Sequence, residues 1–141
     1  MKHILVVLTL ACSLGAPVFA DPAATQMIND LRKDKRRKAL SYFVALEKVA
    51  AAHANEMAAK GYFGHTVANG SSVGDRTSAQ GYKRCFVAEN IAQGQRSLDA
   101  AMAAWTTSKG HYKNMMHKKA GEFGLARGDG NTWVMVLAKP C

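Results

Sequence analysis

Acidic residues are scarce in this sequence: ten Asp and Glu stand against 19 Lys and Arg, for a formal charge of +9 over 141 residues. Long apolar runs are absent. No stretch reaches the roughly 18 unbroken residues that a membrane span needs, so a spanning helix in the mature chain is not expected. With 12 glycines and no sustained heptad, collagen-like and coiled-coil compositions are excluded, and there is no internal repeat and no low-complexity linker. The common catalytic signatures are missing as well: no HExxH, no GxSxG, no Walker loop and no GxGxxG. What is present is a normal apolar fraction, 48%, with only 21% charged residues. That composition excludes disorder and fits one globular domain.

The N-terminus points to export. Lys2 and His3 form a short positive region, Ile4 to Leu14 is apolar, and Val18-Phe19-Ala20 places small residues at the −3 and −1 positions of a cleavage site. Residues 1–20 are therefore expected to be a secretory signal, with the domain covering residues 21–141. A lipoprotein signal built on Cys12 is the weaker alternative, because Thr9 stands where leucine is preferred. The remaining chain, about 120 residues, can bury roughly two-thirds of its unfolded surface. Of three cysteines, loss of Cys12 leaves Cys85 and Cys141. An even count in an oxidising compartment predicts one disulfide between them, with two free thiols as the alternative.

Apolar spacing predicts a first helix over about 24–33 from Ala24, Met27, Ile28 and Leu31. The run Lys33-Asp34-Lys35-Arg36-Arg37-Lys38 reads as a solvated basic connection, with an anionic-lipid or nucleic-acid patch as the sharper alternative. The absence of interleaved aromatics argues against single-strand binding. A second helix is expected from an N-cap at Ser41 through the stripe Leu46, Val49, Ala50, Ala54 and Met57 to a C-cap at Gly61. His53 falls on the core side of that stripe and reads as structural. Ser72 and Asp75 resemble a capping box opening a short helix that stops at Gly81. Cys85 to Ala92 is β-compatible, Ser97 caps a further helix, and Ser108 caps a short one through about Met116. Glu122–Ala126 alternates, 128–131 is a turn and Thr132–Ala138 is a buried strand. The sum is an α+β domain with helices covering an antiparallel sheet.

Three residues near element ends could carry chemistry: His65, Glu89 and His111. His111 lies in the first turn of its helix, where the positive helix end keeps the ring neutral and able to act as a ligand or hydrogen-bond partner. Glu89, beside an apolar strand, needs a histidine or a cation as partner. His111 and His117, six apart, do not share a helix face.

The segments LEKVAAAHANEMAAKGYFGHT, SSVGDRTSAQGY, VAENIAQGQ, WTTSKGHYKNMM and EFGLARGDGNTWVMVLAKP, in this order, resemble the CAP superfamily of cysteine-rich secretory, antigen 5 and pathogenesis-related proteins, and within it the bacterial SCP-like extracellular branch. The resemblance implies a three-layer α-β-α sandwich with a cleft. His65 matches the first cleft histidine, Glu89 the glutamate of a GENIA-like segment in which Ala88 replaces glycine, and His111 the second histidine of an SPGH-like segment in which Lys109 replaces proline. Relatives often carry a second cleft glutamate three residues after the tryptophan. Trp105 is followed there by Ser108, so that acid is missing. Some relatives hold zinc through the two histidines. Carried over, this makes His65 and His111 candidate ligands of a weakly bound divalent metal, because two imidazoles are an incomplete zinc shell.

These readings favour a secreted or periplasmic binding module for a lipid or envelope component, expected to be monomeric and without a specific nucleic-acid partner. A metal-assisted hydrolase with Glu89 as general base is the alternative, and a structural envelope protein is a third.

Overall fold

A computed structural model describes residues 21–141; the expected signal segment, residues 1–20 with Cys12, lies outside the described residues. The first helix, α1, runs over Pro22–Asp34. Asp21 caps it by accepting from the amides of Ala23 and Ala24, and Pro22 occupies the first turn, where its missing N–H costs nothing. Its face Ala24, Ile28, Arg32 is buried at the i, i+4 spacing.

The second helix, α2, spans Val44–Lys60 and buries the stripe Leu46, Val49, Ala50, His53, Ala54 and Met57. Gly61 ends it in the left-handed region at φ 65°, where glycine carries no Cβ penalty. Ser41 does not cap this helix. It belongs instead to a two-residue strand, β1 (Ser41–Tyr42). The amides of Ser41 and Phe43 are taken by the carbonyls of Gly121 and Phe123 at 3.0 and 2.8 Å, so pairing with a distant strand wins over local capping. Phe43 becomes the N-cap and supplies no side-chain bond.

Helix α3 (Val73–Ala79) opens on the expected reciprocal box between Ser72 and Asp75. Strand β2 covers Arg84–Gln93. Helix α4 (Leu98–Thr107) is capped by the Ser97 side chain, and α5 covers Lys109–Met115. Ser108 is the N-cap of α5 by position, but its hydroxyl makes no capping bond. Strands β3 (Glu122–Gly128) and β4 (Thr132–Pro140) form the C-terminal hairpin.

The sheet order is β1-β3-β4-β2. The three long strands pair antiparallel, whereas the short β1 lies parallel to β3. Strand β4 divides its side chains with period two. Trp133, Met135 and Leu137 join α1, α4 and α5 in one core; Val134, Val136 and Ala138 join α2 in the other. Two cores on opposite faces of one sheet make the chain an α-β-α sandwich, and they explain why β3 is buried at three successive residues, Phe123 to Leu125, rather than alternating.

Gly124 lets α2 lie directly on β3. A Cβ there would sit 2.1 Å from the Glu47 amide nitrogen and 2.3 Å from the Leu46 carbonyl carbon. Both are backbone atoms that no rotamer change can move. Gly124→Ala should therefore cost at least about 1–3 kcal/mol, the overpacking range, as read from the shift of the urea midpoint. A loss under about 0.5 kcal/mol would show that α2 lifts off the strand without penalty.

Candidate functional site

Strand β2 is an edge of the sheet, so loops and helices can reach its side chains around the open side. Glu89 faces the α2 side, and its side chain is only 1% exposed. A buried carboxylate has to be satisfied. Arg76 on α3 donates through Nη2 to Oε2 at 2.6 Å, and the His65 ring donates through Nδ1 to Oε1 at 3.0 Å. A carboxylate only accepts, so Nδ1 carries the proton and the lone pair of His65 is on Nε2. That ring is 56% exposed. The arrangement is a carboxylate–histidine pair that fixes tautomer and ring orientation while leaving the other nitrogen toward solvent.

Two further contacts hold the His65 loop. Arg76 Nη1 donates to the carbonyls of His65 and Ser71 at 3.0 and 3.1 Å. His53 Nε2 donates to the Gly64 carbonyl at 2.9 Å. His53 is fully buried, and burial pushes its pKa below the ordinary imidazole value, although the Glu89 carboxylate 3.8 Å away pulls the other way. The core reading of His53 thus meets its position, and the structure adds that it braces the loop presenting His65.

His111 is presented from the other side of β2. Asn90 is buried and donates to the His111 carbonyl at 3.0 Å. Asn114, one turn further along α5, donates to Asn90 Oδ1 at 2.9 Å and to the Glu89 carbonyl at 3.3 Å. The consecutive residues Glu89 and Asn90 therefore anchor the two histidine-bearing segments separately. The His111 pKa is lowered, first by burial and then by the nearby charge of His65. The structure thus brings His65 into contact with Glu89 and sets His111 within electrostatic reach of His65. Ser108 stands half-buried at the start of α5 with no side-chain partner of its own in the helix.

Sequence reasoning missed Arg76, Asn90 and Asn114. The sign was partly visible: Glu89 required a cation, and Arg76 follows the capping box by one residue. For the two asparagines no spacing pattern exists, since their pairing joins a strand to a helix more than twenty residues on.

The donor set sets a limit on any metal. Among the described residues, no group of three or more His, Cys, Asp or Glu is placed to hold an ion. Glu89 is engaged by Arg76. What remains is two imidazoles, which fit a labile ion completed by water and not a closed zinc centre.

The family model described as the cysteine-rich secretory protein family matches residues 25–137. The chain is 30% identical over 100 residues to the uncharacterized protein YkwD of Bacillus subtilis, a match that covers 71% of the chain and 39% of the relative. It is similar in fold to an extracellular protein containing an SCP domain from Bacillus anthracis, with a TM-score of 0.80 and 23% identity over 83% of this chain and 39% of that one. It is also similar to an outer surface protein of Borrelia burgdorferi, with a TM-score of 0.75 and 23% identity over 84% of this chain and 91% of that one. The chain thus spans about two-fifths of the length of the two Bacillus relatives.

Proposed function

The chain belongs to the cysteine-rich secretory protein family, and from that premise we propose that it is exported, with residues 1–20 removed, and acts outside the cytoplasm as a binding module. No helix among the described residues is long and apolar enough to cross a membrane. Export is further supported by the similarity to extracellular and outer-surface proteins.

The observation that carries the binding reading is the engagement of Glu89. Both carboxylate oxygens are taken, one by Arg76 and one by His65, and the group is buried. A general base must come within hydrogen-bond reach of the proton it removes, and this carboxylate is only 1% exposed and paired with Arg76. Glu89 instead acts as a brace that presents His65 Nε2 outward, beside a His111 ring that its surroundings keep neutral. An imidazole oriented by Glu89 and a second one nearby suit a hydrogen-bonding ligand, in keeping with the lipid or envelope component associated with the family. His65 and His111 are also the residues that would hold a divalent ion, which would supply a cation for an anionic group of that ligand.

Zinc should bind weakly, and His65→Ala or His111→Ala should each abolish the calorimetric signal. His53→Ala should destabilise the fold while leaving the metal site occupied at low temperature. Each imidazole must be neutral to coordinate, so affinity should fall as pH drops through the histidine range. Because the His111 pKa is lowered, proton competition at that ring begins only below the ordinary imidazole value. Unchanged zinc affinity in both single variants would remove the two histidines from any metal role. A peptide-library assay completes the test. Zinc-dependent cleavage that disappears in Glu89→Gln would replace the binding module with the hydrolase.

A further inference from the structure

The basic run after α1 does not stand alone in the fold. Arg32 is fully buried, and it donates to four main-chain carbonyls: Lys38 at 2.7 Å, Met115 at 2.6 Å, His117 at 3.3 Å and Ala120 at 3.4 Å. One guanidinium thereby ties the loop that follows α1 to the loop that follows α5. Arg37 adds a second tie, from Nε to the Met116 carbonyl at 3.1 Å. The consequence is electrostatic. Residues 36–38 and the pair Lys118-Lys119 come to lie side by side, with Lys139 at the end of β4 beside them.

Two pits without aromatic residues open in this face, beside a third in which Tyr112 and His117 join Arg37, Lys118 and Lys119. One is lined by Lys38, Lys118, Lys119 and Lys139 with three small residues. The other is lined only by Arg36, Arg37, Lys38 and Lys118. No carboxylate lines either pit, and none of these cations forms an ion pair among the described residues. The charges are segregated. Asp30, Asp34 and Asp99 line a separate groove between α1 and α4. Holding so many like charges together without counterions is unfavourable unless an anion covers them. The rigid stapling by Arg32 keeps them from spreading.

We propose that this face is a docking surface for a membrane rich in anionic phospholipid, whose phosphates enter the two basic pits. The exposed large apolar residues, Phe43, Val44 and Phe63, lie outside it. Contact is therefore with headgroups, without insertion. The face offers separate cationic pits, and the rings nearest them, Tyr112 and His117, are half-buried, with His117 already stacked on Phe86, which suits discrete phosphates better than a stacked nucleic-acid strand. None of its residues belongs to the His65–Glu89–His111 site, so this surface stands or falls independently of the function proposed above.

The test is sedimentation of the purified protein with phosphatidylcholine vesicles, with and without a minority of phosphatidylglycerol. Binding should require phosphatidylglycerol and should weaken steeply with added salt, as the Debye length shrinks below ~10 Å. Near an anionic surface each basic residue contributes about 1 kcal/mol, roughly a fivefold change in partitioning. The variant Lys38→Gln/Lys118→Gln/Lys119→Gln should then lose on the order of a hundredfold. The variant Lys48→Gln/Lys83→Gln/Arg96→Gln removes the same charge elsewhere and should lose far less. Circular dichroism and an unchanged urea midpoint exclude unfolding as the cause. Equal losses in the two variants would overturn the proposal in favour of net charge alone. So would patch-dependent binding of a single-stranded oligonucleotide without vesicle binding, or equal binding to pure phosphatidylcholine.

Discussion

Glu89→Ala is expected to destabilise the protein by about 3–5 kcal/mol, the range for breaking a buried ion pair by removing one partner. The reason is what remains. Arg76, with only 11% of its side chain exposed, would keep its charge and lose its counterion. The Nδ1–H of His65 would lose its acceptor, and the loop it anchors would lose one of its ties. Arg76→Met should be similarly costly, since it leaves the carboxylate buried without a cation. The double variant Glu89→Leu/Arg76→Met should cost much less than the sum of the two singles, because two neutral groups of comparable volume need no partner. Urea denaturation of the four proteins reads this directly. Additive losses would mean that the two residues are not coupled, and a loss under about 1 kcal/mol in Glu89→Ala would remove the brace from the account.

The second large effect is expected at the C-terminus. Cys85 and Cys141 are disulfide-bonded, with Cα atoms 4.8 Å apart and a sequence separation of 56. Cys85 is the extra residue of a bulge: Arg84 pairs with Pro140, and Phe86 already pairs with Lys139. The Cys141 amide also donates to the Lys83 carbonyl at 3.0 Å, so the bridge closes the open end of the β2–β4 ladder. Closing a loop of this length is worth roughly 4 kcal/mol in the chain-entropy account, and Cys141→Ser should lower stability by about 2–5 kcal/mol. Native protein prepared without reductant should show no reactive thiol among the described cysteines. Two titratable thiols at Cys85 and Cys141 would contradict the bridge.

The elements that were legible in the sequence are those whose signals are local. The stripe from Leu46 to Met57, the Ser72–Asp75 box, the Ser97 cap and the left-handed glycine at position 61 each act within a few residues, and each is found. Ser41 shows the limit. Its side chain suits a cap, but backbone pairing with β3, some eighty residues away, decides its role. The sheet face of Gly124 was equally hidden, because only the packed α2 reveals why a side chain there is excluded.

The site divides in the same way. His65, Glu89 and His111 were legible singly as polar residues near element ends, but only the resemblance put them in one cleft, since no spacing pattern links the loop, the edge strand β2 and α5. Arg76 could be expected only as an unnamed cation for Glu89. The coalescence of the two basic runs depends on Arg32, which reads in sequence as one more charge on a helix and is in fact a fully buried staple.

The central claim is that Glu89, paired with Arg76, and Asn90 next to it present His65 and His111 together as one binding site. A zinc titration followed through the side-chain nitrogen resonances of the histidines tests it most directly. The account predicts that the rings of His65 and His111 shift together and saturate at the same zinc concentration, while those of His53 and His117 stay in place. Shifts confined to His53 or His117, or no shift at His65 and His111 at any zinc concentration, would contradict it.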